Sequence, residues 1–138
     1  MSHWYIDASA AMKLLVTDAE SDVLGEAITR AAPDLVACYL LETEVRRSAH
    51  THALAQTEAT ELLESVSLHE MPASLFREAG LLAGDRLRSL DALHVVAAVS
   101  IGVDQILTYD DRQSEAARAA GLTVYAPGKR QAPTGSIR

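Results

Sequence analysis

Apolar positions along the chain gather into short runs separated by longer stretches of helical spacing. Trp4-Tyr5-Ile6 is a compact, bulky run that stops at Asp7, which predicts a buried strand with a carboxylate at its C-terminal end. Residues 8–16, rich in alanine and leucine, predict a helix directly after it. Thr17 or Asp18 is placed to cap a second helix running towards Arg30, and Pro33-Asp34 punctuates its end. Residues 35–38 form a second short apolar run. From Tyr39 the spacing turns helical, with Leu40, Leu41, Val45 and Ala49 separated mainly by four, and residues 53–64 continue as a further helix.

Residues 66–71 alternate weakly and predict a third strand. Pro72 suits the first turn of a helix that reaches Ala83, with Gly84 at its end. Ser89 suits the cap of a helix over residues 90–101, and Gly102 suits its stop. A strand over 105–109, a helix over 112–120 closed by Gly121, and a last strand over 122–125 complete the pattern. Strands alternating with helices imply a parallel sheet covered on both faces. The expected architecture is α/β, a three-layer α/β/α sandwich around about five short strands. Residues 1–127 are expected to form one domain, and 128–138, with their Pro, Gly, Ser and basic residues, a flexible tail.

Composition narrows the functional classes. At 138 residues, 49% hydrophobic and 22% charged, the chain is sized for one domain with a real core. It has no apolar run of membrane-spanning length, and its start lacks the basic-then-apolar pattern of a secretory signal, so the expected location is the cytoplasm with no membrane partner. Cys38 is the only cysteine, which excludes an internal disulfide and any multi-cysteine metal site. Nineteen acids against twelve bases give a net charge of −7, which on its face disfavours phosphate binding. Bases do cluster locally, at Arg46-Arg47, at Arg86 with Arg88, and at Lys129-Arg130, and acids gathered round a cation present no negative field to phosphate.

The acids carry the chemistry. In open α/β sheets, ligands bind beyond the carboxyl ends of the strands. Asp7 falls there, as do Asp110 and Asp111 after the 105–109 strand. Glu44 and Asp91 lie on helices, Asp91 within the apolar stretch Leu90-Asp91-Ala92-Leu93. Each acid alone has an ordinary use: capping for Asp7, Asp110 or Asp111, a helix-dipole charge for Asp91, and pairing with Arg47 or Ser48 for Glu44. Together they are harder to dismiss. Two carboxylates 4 Å apart repel by about 4 kcal/mol at an effective dielectric near 20, so a converging set must be partly protonated or hold a cation. An all-oxygen site suits Mg²⁺ or Mn²⁺, which polarises phosphoryl oxygens and acidifies bound water.

Four segments resemble the PIN-domain family of metal-dependent ribonucleases, and within it the VapC toxins of VapBC toxin–antitoxin pairs. They are Tyr5-Ile6-Asp7-Ala8-Ser9, Leu40-Leu41-Glu42-Thr43-Glu44-Val45-Arg46, Leu87-Arg88-Ser89-Leu90-Asp91-Ala92-Leu93-His94, and Leu107-Thr108-Tyr109-Asp110-Asp111-Arg112. Their four acids are spaced by 37, 47 and 19 positions, in the family's order. The resemblance implies a homodimer with Mg²⁺ or Mn²⁺ held by Asp7, Glu44, Asp91 and Asp110. It implies RNA cleavage by a metal-activated water, leaving a 5′-phosphate and a 3′-hydroxyl, and a VapB-type antitoxin that blocks the acidic pocket.

Around this set, Ser9, Thr108 and Asp111 are candidates to support the ligating carboxylates, with capping the expected duty of Asp111. Arg46, Arg86, Arg88 and Arg112 are candidates for RNA phosphates. Glu42 competes with Glu44 but lies on another helix face. His50 and His52, two apart, make a poor metal pair, and His94 is expected to be packed or bonded to a partner rather than to shuttle protons. A haloacid-dehalogenase-like phosphatase is the rival enzyme, disfavoured because position 9 is Ser where that chemistry needs Asp and because no lysine lies between Lys13 and Lys129. The non-enzyme rival is an inactive acidic binding module.

Overall fold

The computed structural model describes residues 1–130; the tail expected over 128–138 lies beyond the described residues from position 131 onward. Lys129 is within the described part, and its Nζ donates to the Tyr109 carbonyl at 3.0 Å. In chain order the elements are β1 (His3–Ile6), α1 (Ala8–Leu15), α2 (Ser21–Ala31), β2 (Asp34–Cys38), α3 (Leu40–Thr51) and α4 (Gln56–Glu64). There follow β3 (Ser67–His69), α5 (Ala73–Leu81), α6 (Ser89–Ile101), β4 (Gln105–Leu107), α7 (Asp111–Ala119) and β5 (Val124–Tyr125).

The strands form one parallel sheet in the order β3-β2-β1-β4-β5. Connections from β1 step outward one way, to β2 and β3, while β4 leads the other way, to β5. With right-handed crossovers, that reversal places α1–α4 on one face and α5–α7 on the other. The helix packing agrees: α1 packs on α2, α3 and α4, whereas α6 packs on α5 and α7. The expected three-layer α/β/α sandwich is present. The strands are short and apolar because both sheet faces are covered; Tyr5, Ile6, Val36, Ala37, Cys38, Ile106 and Leu107 are all buried.

The strand order puts a switch point between β1 and β4, the crevice where α/β sheets take ligands. Register sharpens this. Ile6 pairs with Leu107, so the next residues, Asp7 and Thr108, emerge side by side at the carboxyl edge.

The structure corrects some local expectations. Helix α6 begins at Ser89 itself, with Arg88 in the capping position and no side-chain cap bond. The second helix starts at Ser21, later than a cap at Thr17 or Asp18 requires, because Asp18 closes a tight turn through its own carboxylate onto the Glu20 N–H. Gly102 ends α6 in the left-handed conformation, φ 79°, as its position suggested.

Candidate active site

Asp7 is the best-determined member of the site. It caps α1, and its Oδ1 accepts from the Ala10 N–H at 2.9 Å and the Ser9 hydroxyl at 2.7 Å. Its Oδ2 accepts from the Thr108 hydroxyl and from the Gln113 amide Nε2 at 3.0 Å. Four donors thus engage a carboxylate with about four lone-pair sites. Ser9 and Thr108 are themselves fixed from behind, since Ser9 Oγ accepts from the Tyr109 N–H at 2.8 Å and Thr108 Oγ1 from the Asp110 N–H at 3.2 Å. Both hydroxyls therefore donate to Asp7 from fixed positions. Burial raises the Asp7 pKa, and the hydrogen bonds from Thr108, Ala10 and Ser9 only partly offset it.

Asp110 caps α7, its Oδ1 accepting the Gln113 N–H at 3.0 Å. Capping is thus Asp110's duty and not that of Asp111, which is largely exposed and paired with Lys129 at 2.5 Å. Asp91 stands in the first turn of α6. Burial and then the negative charge of Asp110 hold its carboxyl above the usual range, which places α6 and the start of α7 in one electrostatic neighbourhood.

Glu44 comes from the opposite helical layer. It pairs with neither Arg47 nor Ser48; its Oε1 lies 2.6 Å from His94 Nε2 on α6. The other ring nitrogen, Nδ1, lies 2.7 Å from the buried Tyr5 hydroxyl, which donates to Cys38 Sγ at 3.2 Å and accepts from the Cys38 N–H at 3.1 Å. Burial opposes an imidazolium here, but hydrogen bonds to Cys38 and Glu44 and the Glu44 charge outweigh it and lift His94 to about 10. Of these, Glu44 is the effective anion, since Cys38 Sγ is 3.9 Å from the ring nitrogen. His94 is packed and partner-bonded, as expected, and ties α3 to α6 across the sheet edge.

Gln113 was not foreseen. It is 1% exposed, and its Oε1 is the one buried side-chain oxygen or nitrogen among the described residues without a hydrogen-bond partner. The available signal was a polar side chain on the inward stripe of α7, alongside the buried Ser114 and Ala117.

The candidate RNA contacts divide. Arg46 pairs with Glu42 and hydrogen-bonds Gln56 and Thr60 at 3.2 Å each, so it fastens α3 to α4. Arg86 and Arg112 line one surface cleft beside α7, where Arg86 stands 3.7 Å from Glu115. Arg88 precedes α6 and sits within electrostatic reach of Asp91.

Among the described residues, no three of His, Cys, Asp and Glu form a ready-made cation cage, and Asp7, Glu44 and Asp110 are each hydrogen-bonded to protein groups. The donor set nonetheless fits a hard divalent ion: carboxylate oxygens at the sheet's carboxyl edge, with the Gln113 amide bonded to Asp7 through Nε2 and its Oε1 unpartnered among the described residues.

A parallel α/β/α sheet with acids at its carboxyl edge sets the class of protein: Asp7 and Asp110 follow the adjacent strands β1 and β4, while Asp91 and Glu44 stand on α6 and α3. The PIN-domain family model matches residues 4–119. Ribonuclease VapC46 of Mycobacterium tuberculosis is 35% identical over 130 residues, covering 92% of this chain and 99% of that protein. Ribonuclease VapC35 of the same species is 31% identical over 131 residues, covering 91% and 97%. The crystal structure of M. tuberculosis VapC20, a Sarcin-Ricin loop cleaving toxin, aligns with a TM-score of 0.73 at 17% identity, covering 90% of this chain and 99% of that one. VapBC2 from Rickettsia felis, bound to a DNA fragment from its promoter, aligns with a TM-score of 0.67 at 10% identity, covering 91% and 98%. The chain belongs to the PIN-domain family.

Proposed function

We propose that this protein is the toxin of a VapBC-type pair, an endoribonuclease that hydrolyses RNA phosphodiester bonds with Mg²⁺ or Mn²⁺. The observation that carries the reading is Asp7: a nearly inaccessible carboxylate at the β1/β4 switch point, with Asp110 on the adjoining strand end. Curated relatives named as VapC ribonucleases, matched over nine-tenths of the chain, support it.

Asp7, Asp91, Glu44 and Asp110 are the residues that would hold the ion. Bound there, a divalent ion supplies Lewis acidity at the scissile phosphate and a water acidic enough to attack it. The protein's own groups set the stage. Ser9, Thr108 and the Ala10 N–H orient the Asp7 carboxylate, and the start of α7 fixes Asp110. His94 holds Glu44 at the edge of the site and turns one of its oxygens away from solvent. Arg86, Arg88 and Arg112 would meet RNA phosphates, since the net charge of −7 leaves backbone contacts to such local bases.

The phosphatase reading does not return: Ser9 is committed to Asp7, and no general acid takes its place two residues on. We place the action in the cytoplasm; no described helix is long and apolar enough to cross a membrane. The expected partners are a VapB-type antitoxin and a second copy of this chain. For the latter, the groove between α5 and α6, lined by the half-exposed Phe76 with Leu82, Leu87 and Leu93, is the supporting feature.

The test is incubation of the purified chain with several structured RNAs in Mg²⁺, Mn²⁺ or EDTA. Cleavage in either metal that EDTA stops, leaving 5′-phosphate ends, is the expected result. Equal RNA integrity in every condition would favour an acidic binding module.

A further inference from the structure

The Gln113 amide is in an arrangement that none of the other described residues completes. Its Nε2 donates to Asp7 Oδ2 at 3.0 Å, while its Oε1, buried, receives nothing. Buried carbonyl oxygens are nearly always paired, and an exception calls for a missing partner. Turning the amide over, a motion its broad terminal torsion permits, does not cure the defect with the protein's own groups. The oxygen would then face the Asp7 carboxylate, acceptor against acceptor. With Asp7 ionised, the turned oxygen gains a partner only if a positive centre stands beside the carboxylate.

The other three donors to Asp7 have no such freedom. Ala10 N–H belongs to the α1 backbone, and Ser9 and Thr108 each accept a backbone N–H while donating their only proton. Gln113 is the one group that can yield a lone pair of Asp7 and offer an oxygen in return. The spacing suits that exchange. An octahedral Mg²⁺ holds oxygens at about 2.1 Å, so neighbouring ligands lie about 3.0 Å apart. That is the present separation of the Gln113 amide terminus from Asp7 Oδ2.

We propose that Gln113 is a further oxygen ligand of the divalent ion at Asp7, engaging it through Oε1, directly or through one bound water, once the amide turns over. Before that turn the same side chain donates its N–H to Asp7 Oδ2. The inference rests on the reading of Asp7 as a cation ligand and adds to it a neutral donor that no acidic motif contains.

The experiment is Mn²⁺ binding, by calorimetry or by the loss of the free-ion paramagnetic signal, with no RNA present. It compares the wild-type protein with Gln113→Leu, Gln113→Glu and Asp7→Asn at pH 8, each checked for folding by thermal melt. Asp7→Asn should lose binding, Gln113→Leu should weaken it about tenfold or more, and Gln113→Glu, which keeps an oxygen but has no N–H, should bind at least as tightly as wild type. If Gln113→Leu binds like wild type or better while Asp7→Asn fails, Gln113 is no ligand and the site reading survives. A Gln113→Glu protein as weak as Gln113→Leu would mean that Gln113 only donates to Asp7, and also overturns the proposal. A wild-type chain that binds no Mn²⁺, or an Asp7→Asn chain that binds like it, removes the site and the proposal together. Should the leucine variant not fold, Gln113→Met carries the same comparison.

Discussion

Asp7 caps α1 and is the centre of the site we propose, and the two roles can be separated by substitution. Asn at position 7 keeps a side-chain oxygen for the Ala10 N–H while losing the charge. We expect Asp7→Asn and Asp91→Asn to remain folded and to lose RNA cleavage by at least about a hundredfold, since several kcal/mol of transition-state stabilisation goes with the ion. Full activity in either variant, with circular dichroism unchanged, would remove that residue from the site. His94 makes a different prediction. Its pKa in the folded chain, about 10, lies above the ordinary value of 6.5, so folding takes up a proton between those values. The stability it contributes is complete below pH 6.5 and is lost as pH rises towards 10, at up to about 1.4 kcal/mol per pH unit. Urea midpoints of wild type and His94→Gln should therefore draw together from pH 6.5 to pH 10. A gap that stays constant would show that the ring is neutral in the folded protein.

At the scale of the elements, turn and cap chemistry was readable where one residue type has one physical use. Gly102 takes a φ of 79° that an L side chain resists, and it terminates α6 where the pattern stopped. Space is open around it, with nothing within 4 Å of an added Cβ, so Gly102→Ala should cost only the backbone strain, about 1–2 kcal/mol, measured as a lower urea midpoint. No change in that midpoint would mean that the helix end relaxes freely. Adjacent acids were less readable. Asp110 and Asp111 are equal as sequence, and only the emergence of β4 beside Asp7 decides that Asp110 caps while Asp111 turns to Lys129. Ser89 failed as a cap for a related reason: the helix simply starts one residue earlier, with Ser89 inside it.

At the scale of the molecule, the apolar groove of α5 and α6 is the feature a monomer leaves unexplained. Phe76 is 53% exposed there, above a small cluster of Leu75, Ala79, Ala92 and Val96 that joins the two helices. We expect sedimentation to give a dimer, and Phe76→Glu to weaken it about tenfold or more, as for an aromatic at an interface centre. An unchanged dimer would move the interface elsewhere. The alternation of apolar runs was enough to establish a parallel α/β sheet, because burial on both faces demands unbroken apolar strands. The strand-end acids Asp7 and Asp110 followed from it, because a parallel sheet sends every strand end to the same edge. The partners of those acids did not follow. Glu44 meets His94 fifty positions away, and Gln113 meets Asp7 one hundred and six away, across strands whose order is 3-2-1-4-5. Side-chain periodicity reports which face of an element is buried, but it carries no information about which buried faces meet; that was decided only when the crossovers reversed between β1 and β4.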